Sequence, residues 1–294
     1  MPHATIDSET RAPQALYFPF NLANAAELAH GVPPSQPLSG PLLQVDALHP
    51  QYSALKRSLM QSNARGPYRS AGAQAEAAVA EAASYLRARM AELPHWAHAA
   101  TRLAALDLDA LMLELQEDLA IMLLPPGFAA ERARTSYLHV CFPSGWDPAQ
   151  MLGKNFLGLH ARVPRHEPGF EKSDQPGHAA SLFERPAERY VWSLTADDAL
   201  DRHPQTPRAA TWQDTAHAYL RVERQLIVPL GTLASDGTAL MLFFIRMYVY
   251  PMTRLDATQR AVLAAAVSDM SEPMRRYKGL LGHEPRILEL LSAS

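Results

Sequence analysis

The 294 residues carry 27 basic and 30 acidic side chains, 48% hydrophobic content, 24 prolines, 14 glycines, twelve histidines and one cysteine. This is a globular composition, too apolar for disorder and long enough for one large domain or two small ones. The lone Cys141 excludes an intrachain disulfide, a CxxC zinc site and a cysteine-held cluster, and a net charge of −3 without like-charge blocks favours neither nucleic acid nor an anionic membrane.

Residues 1–40 are proline-rich and aperiodic and read as an extended arm lying on the domain. Residues 41–70 are mixed. The stretch 72–92 is built from the best helix formers and stops before Pro94, which predicts a helix. A second helix is predicted over 107–115. The boundary of this N-terminal helical layer, residues 1–114, falls near Glu114, and 115–294 form the core with a closing helix over 256–276.

Beyond Glu114 the hydrophobic period shortens. Residues 117–124 and 135–142 read as strands separated by Pro125-Pro126-Gly127. Residues 147–160 read as a helix, with Asp147 as N-cap and Pro148 at its first position. A short helix near 179–184 interrupts a charged, proline-rich connection. Strands follow over 188–195, 218–228 and 238–250, the last two joined at Asp236-Gly237. The longest uncharged apolar run, 239–245, is far below the roughly 18 residues of a membrane span. Residues 1–7 lack a secretory pattern, so the expectation is a soluble, cytoplasmic protein.

Strand, strand, helical crossover and three strands predict an α+β fold: a five-stranded antiparallel sheet with helices against it. That order is also the topology of a PAS domain, whose sheet and helices enclose a small-molecule or haem pocket. Two placements within it carry chemistry. On 218–228, Arg224 is the one charge in the row Leu220, Val222, Leu226, Val228, while Arg221, Glu223 and Gln225 share the other face as a polar ladder. An unpaired buried guanidinium is costly, which leaves two readings of Arg224. Either it pairs with a carboxylate beneath the sheet, or it points into a pocket toward an anion or bound oxygen. On 147–160, Leu152, Phe156 and His160 form one stripe. His160 is then either a core histidine capping the helix C-terminus or an axial ligand of haem iron. His203, His217 and His283 read as solvated, and the aromatics Tyr190, Trp192, Tyr248 and Tyr250 as core. No phosphate-loop, dinucleotide, hydrolase-elbow or zincin motif occurs.

Together these segments resemble a known family. Phe142-Pro-Ser-Gly-Trp-Asp147, Gly153-Lys154 and Leu159-His160-Ala-Arg-Val-Pro164 resemble the first signature of the haem-dependent oxidative N-demethylases. Arg221-Val-Glu-Arg-Gln225 and Ile245-Arg-Met-Tyr248 resemble the second, with Gln116-Glu-Asp118 and Arg189-Tyr-Val-Trp192 as intervening segments. The chain departs from the family pattern at Val191, where asparagine is usual, at Ala161-Arg162, and over 226–231. The resemblance implies a PAS-like haem b core that uses O2 to remove a methyl group from a secondary amine such as dimethylamine, releasing formaldehyde. Electrons then come from NADPH through FMN and an iron–sulfur cluster on a partner reductase, and a homo-oligomer is compatible. It implies His160 as the axial ligand of the haem iron, Arg224 and Glu223 as catalytic pocket residues, and Lys154, Trp146 and Arg224 as cofactor contacts. The alternatives are a haem PAS protein that binds or senses a gas, and a haem-less accessory subunit.

Overall fold

The computed structural model describes residues 35–129, 132–159, 164 and 183–293. Its centre is one antiparallel sheet of seven strands: β1 (Gln36–Pro37), β2 (Pro67–Arg69), β3 (Glu117–Leu124), β4 (Arg134–His139), β5 (Ala187–Thr195), β6 (Tyr219–Thr232) and β7 (Ala239–Pro251). They lie in the order β1-β5-β6-β7-β3-β4-β2. The α+β class agrees with the expectation, whereas the strand count is seven instead of five. The two additions are short edge strands from the N-terminal region, β1 on β5 and β2 on β4. Their two and three residues are too short for periodicity to reveal.

The helices are α1 (His49–Gln61), α2 (Ala73–Ala91), α3 (Ala100–Ala104), α4 (Leu108–Leu113), α5 (Phe156–Leu159), α6 (Ala257–Asp269), α7 (Glu272–Tyr277) and α8 (Glu284–Ala293). Asp107 caps α4, and Asp256 with Gln259 forms a capping box on α6. The closing helix is thus divided: Met270 is extended and Ser271 caps a new start, α7. The expected helix 147–160 is corrected more strongly. Asp147 caps only a single 3-10 turn, Pro148–Met151, after which Gly153 adopts a left-handed φ of 74°. The backbone there bonds to β4, Gly153 N–H to Thr135 O at 2.9 Å and Thr135 N–H to Lys154 O at 3.0 Å. Pairing with a strand replaces the helical ladder, and α5 is only a short resumption.

One face of β6 serves two cores along its length. Leu220 and Val222 join Trp192, Tyr248 and Tyr250 in a core closed by α6–α8, through Leu263, Val267 and Ile287. Leu226 and Val228 join Leu119, Ile121 and Phe244 in a second core closed by α2 and α4, through Ala82, Leu86 and Met112. Arg224 stands between the two. Its Nε and Nη2 lie 3.1 and 3.0 Å from Glu188 Oε2, and its guanidinium also donates to the carbonyls of Pro41 and Leu42. Arg246, its cross-strand neighbour, pairs with Asp46 at 2.8 Å and stacks on Tyr52 and Tyr248. Glu117 accepts the Gln44 N–H, and Glu188 accepts from Ser39. Residues 39–46 are therefore strapped across this face by charges that are themselves buried.

Removing one member of a buried pair strands the other charge, which costs about 3–5 kcal/mol. We expect Arg224→Met to lose that much in equilibrium urea unfolding. The double variant Arg224→Met/Glu188→Leu should recover most of it; an equal loss in both contradicts the clamp.

Candidate functional site

The opposite sheet face lines a cleft of about 1140 Å³, at the upper limit of ordinary ligand pockets. Its floor is apolar, from Ala120, Met122, Leu138, Ile227, Phe243 and Ile245. Its polar row is Arg189 on β5 with Arg221, Glu223 and Gln225 on β6. Trp146, Met151 and Lys154 come from the segment between β4 and α5 and Leu159 from α5 itself, and Trp212, Lys278 and His283 close the remaining side. The Trp146 loop is positioned by Gly145 N–H donating to Arg202 O at 2.9 Å and by His203 Nε2 beside Asp147 Oδ1 at 3.3 Å.

The four polar groups do different work. Arg221 spends its guanidinium on Ser144 Oγ and the carbonyls of Phe142, Ala199 and Leu200, at 2.9–3.1 Å. Burial, reinforced by Arg202 nearby, pushes it down to about 10; it pins two loops to the sheet. Arg189 Nε donates to Gln225 Oε1 at 2.7 Å, and Gln225 Nε2 donates to Glu223 Oε2 at 2.8 Å. Burial lowers the proton affinity of Arg189, and the negative charge of Glu223 opposes this. Lys278 donates to Trp192 O at 2.6 Å and lies 4.5 Å from the centre of that indole ring. Its ammonium is pushed down to about 7 by burial, against the pull of Glu223.

The sequence-predicted residues divide accordingly. Glu223, Trp146 and Lys154 line the cleft. Arg224 does not: it faces the cores, ion-paired with Glu188, and the pocket assignment is corrected to the salt-bridge reading. The expected ladder of Arg221, Glu223 and Gln225 is instead the face that meets the cleft. His160 lies outside the described residues, as does most of 179–184; Leu159, which precedes His160 in sequence, lines the cleft. His217 is exposed as expected, but His203 is buried against Asp147 and His283 lines the cleft beside Gln213. Arg189 and Lys278 were not singled out by sequence. The available signal was a basic residue at alternate spacing from Val191, on the face that pairs with Glu223 and Gln225. The departure at Val191 itself falls on the cleft wall, directly across from Glu223.

Bound haem would fit such a site: an apolar floor for the macrocycle, and Lys154, Arg189 and Lys278 among the cations available to carboxylates. A second donor cluster lies elsewhere. Asp118, His139 and Cys141 are all buried, with ligand atoms within 4.8 Å of one another, a spacing that could hold a metal ion. Asp118 is already engaged, by the Lys56 ammonium at 3.1 Å and the Phe142 N–H at 2.8 Å. Burial pushes the Cys141 thiol far up, so the group is electrically balanced as it stands. No helix among the described residues is long and apolar enough to cross a membrane.

Residues 38–288 match the family model described as HODM_asu-like, haem-dependent oxidative N-demethylase, alpha subunit-like. No curated protein matches the chain.

The buried His139 gives a pH signature. Burial first, and the Lys56 charge second, lower its imidazole from 6.5 to about 3. Between those values the unfolded chain binds a proton that the folded one excludes, so stability falls as pH drops from 6.5 toward 3. We expect His139→Gln to remove a component on the order of 4 kcal/mol from that acid loss. Urea unfolding of both proteins at pH 7, 5 and 4 measures it; parallel curves contradict it.

Proposed function

The chain belongs to the haem-dependent oxidative N-demethylase, alpha subunit-like family, and from that premise we propose that it binds haem in this cleft and removes an N-methyl group from an amine. The carrying observation is the cleft itself. A large apolar floor meets a row of opposed charges, and one wall is the segment running directly into His160. The order of the five long strands, β4-β3-β7-β6-β5, supports a PAS-like core.

Bound haem supplies an iron that accepts electrons singly and activates O2. His160 would hold the iron, and Lys154 would take a haem carboxylate. The overall chemistry balances as amine N–CH3 plus O2, two electrons and two protons giving N–H, formaldehyde and water. The electrons come from a separate NADPH-dependent reductase carrying FMN and an iron–sulfur cluster.

The chain's own groups handle binding and protons. Glu223, one oxygen fixed by Gln225, holds the substrate ammonium and orients its methyl group. Lys278, with proton affinity near neutrality, gives up or takes a proton at Nζ. Phe243, Ile245 and Leu138 keep water from the reacting carbon, which strengthens each polar contact there.

Hemin titration of the purified protein tests the reading. We expect one equivalent to give a Soret band that moves on reduction and on CO addition. His160→Ala should lose stoichiometric haem while its circular dichroism is unchanged. With a supplied reductase, NADPH and O2, formaldehyde should be released from an N-methylated amine. A protein that stays colourless with hemin contradicts the haem site, and a normal haem spectrum without formaldehyde marks a gas-binding protein.

A further inference from the structure

Arg189 is 9% exposed and its side chain lines the cleft. Only its Nε is engaged, by Gln225; among the described residues no carboxylate stands at ion-pair distance from it. Glu223 is near enough to favour its charge and too far to neutralise it. Of the neighbouring guanidiniums, Arg221 is committed to loop carbonyls, Arg224 to Glu188 and Arg202 to Asp197, while Arg208 donates to the Arg202 carbonyl and is exposed to water. A desolvated guanidinium left open toward a cavity is costly unless the occupant brings an anion. At the other end of the same chain of hydrogen bonds stands Glu223, half-buried, with one oxygen held by Gln225.

The cleft wall thus presents a cation and an anion joined through one amide. Arg189 lies opposite Gln225, so Arg189 and Glu223 are diagonal cross-strand neighbours. Such positions are about 7–8 Å apart at the backbone, a gap that a long arginine shortens. A plain alkylamine satisfies Glu223 alone. An occupant that satisfies both carries an ammonium and a carboxylate a short distance apart.

We propose that the substrate is a zwitterion, an N-methyl α-amino acid, with its ammonium on Glu223 and its carboxylate on Arg189. This rests on the demethylation reading above and specifies its substrate class. The methyl group to be lost is on the nitrogen at Glu223, so Arg189 determines which amines enter and takes no part in bond breaking. A carboxylate could also come from haem, and the experiment separates the two sources.

Isothermal calorimetry on the haem-loaded protein would compare N-methylglycine, its methyl ester and dimethylamine, in wild type, Arg189→Met and Arg189→Lys. We expect wild type to prefer N-methylglycine over both carboxylate-free amines. Loss of a charge-assisted contact corresponds to about 10- to 100-fold in affinity, so Arg189→Met should abolish the preference and Arg189→Lys restore part of it. The ester comparison needs no variant and decides the question even if Arg189→Met fails to fold. Equal or weaker binding of N-methylglycine relative to its ester overturns the proposal. So does a fall in haem stoichiometry in Arg189→Met with the amine preference intact, which would assign the guanidinium to a haem carboxylate. Formaldehyde assays run alongside keep the two readings distinct. If neither amine yields formaldehyde, demethylation fails while the calorimetry still decides the zwitterion site; if only dimethylamine yields it, demethylation stands and the zwitterion is excluded.

Discussion

The structure depends on buried arginine–carboxylate pairing across one face of the sheet. Arg224 and Arg246 are cross-strand neighbours on β6 and β7, an arrangement that is repulsive unless each finds an anion. Glu188 serves one and Asp46 the other, and the strap at residues 39–46 supplies the remaining acceptors. Two apolar cores meet at this seam, one closed by α2 and α4, the other by α6–α8. A purely apolar junction would pack more cheaply, whereas here each charge ties one strap position to one sheet position, Asp46 to Arg246 and the Pro41 and Leu42 carbonyls to Arg224. The opposite face is thereby left free for a cleft.

The same strand serves both faces with consecutive residues. Along β6, Arg221 ties down two loops, Val222 fills a core, Glu223 meets the cleft, Arg224 holds the strap and Gln225 joins Glu223 to Arg189. A shift by one residue would exchange the two sets and point Arg221, Glu223 and Gln225 into hydrocarbon. The register break near Pro229 and Gly231 falls beyond this stretch and leaves it undisturbed.

Much of this order was legible. The five long strands appear as alternation or apolar runs, and α2 as a run of strong helix formers. Helix α1 was overlooked although Leu48, Tyr52, Leu55 and Leu59 recur at helical spacing and pack in one cluster; the polar residues His49, Ser53 and Lys56 buried beside them blur that stripe. The helix expected over 147–160 failed because its backbone gains more by bonding to β4, a contact distant in sequence. Arg224 is the instructive case. Its row was identified correctly, with Leu220, Val222, Leu226 and Val228, yet both faces of the sheet are covered. Alternation separates the faces without saying which covers a core and which a cleft. Arg189 is named in the sequence only as part of a supporting segment for the same reason: its role comes from Gln225, which it faces, and Glu223 beyond it.

The strap has a kinetic side. Asp46 and Arg246 are 200 positions apart along the chain, and Ser39 and Glu188 are 149 apart. Contacts of such separation carry a loop-closure cost that local contacts avoid. The segment synthesised first must therefore wait, unfastened, until β6 and β7 exist. During synthesis α2 and α4 can meet each other and β3, but the apolar core they close is complete only when Leu226, Val228, Leu242 and Phe244 arrive on β6 and β7. Assembly of this protein is thus a closing of both ends upon the middle.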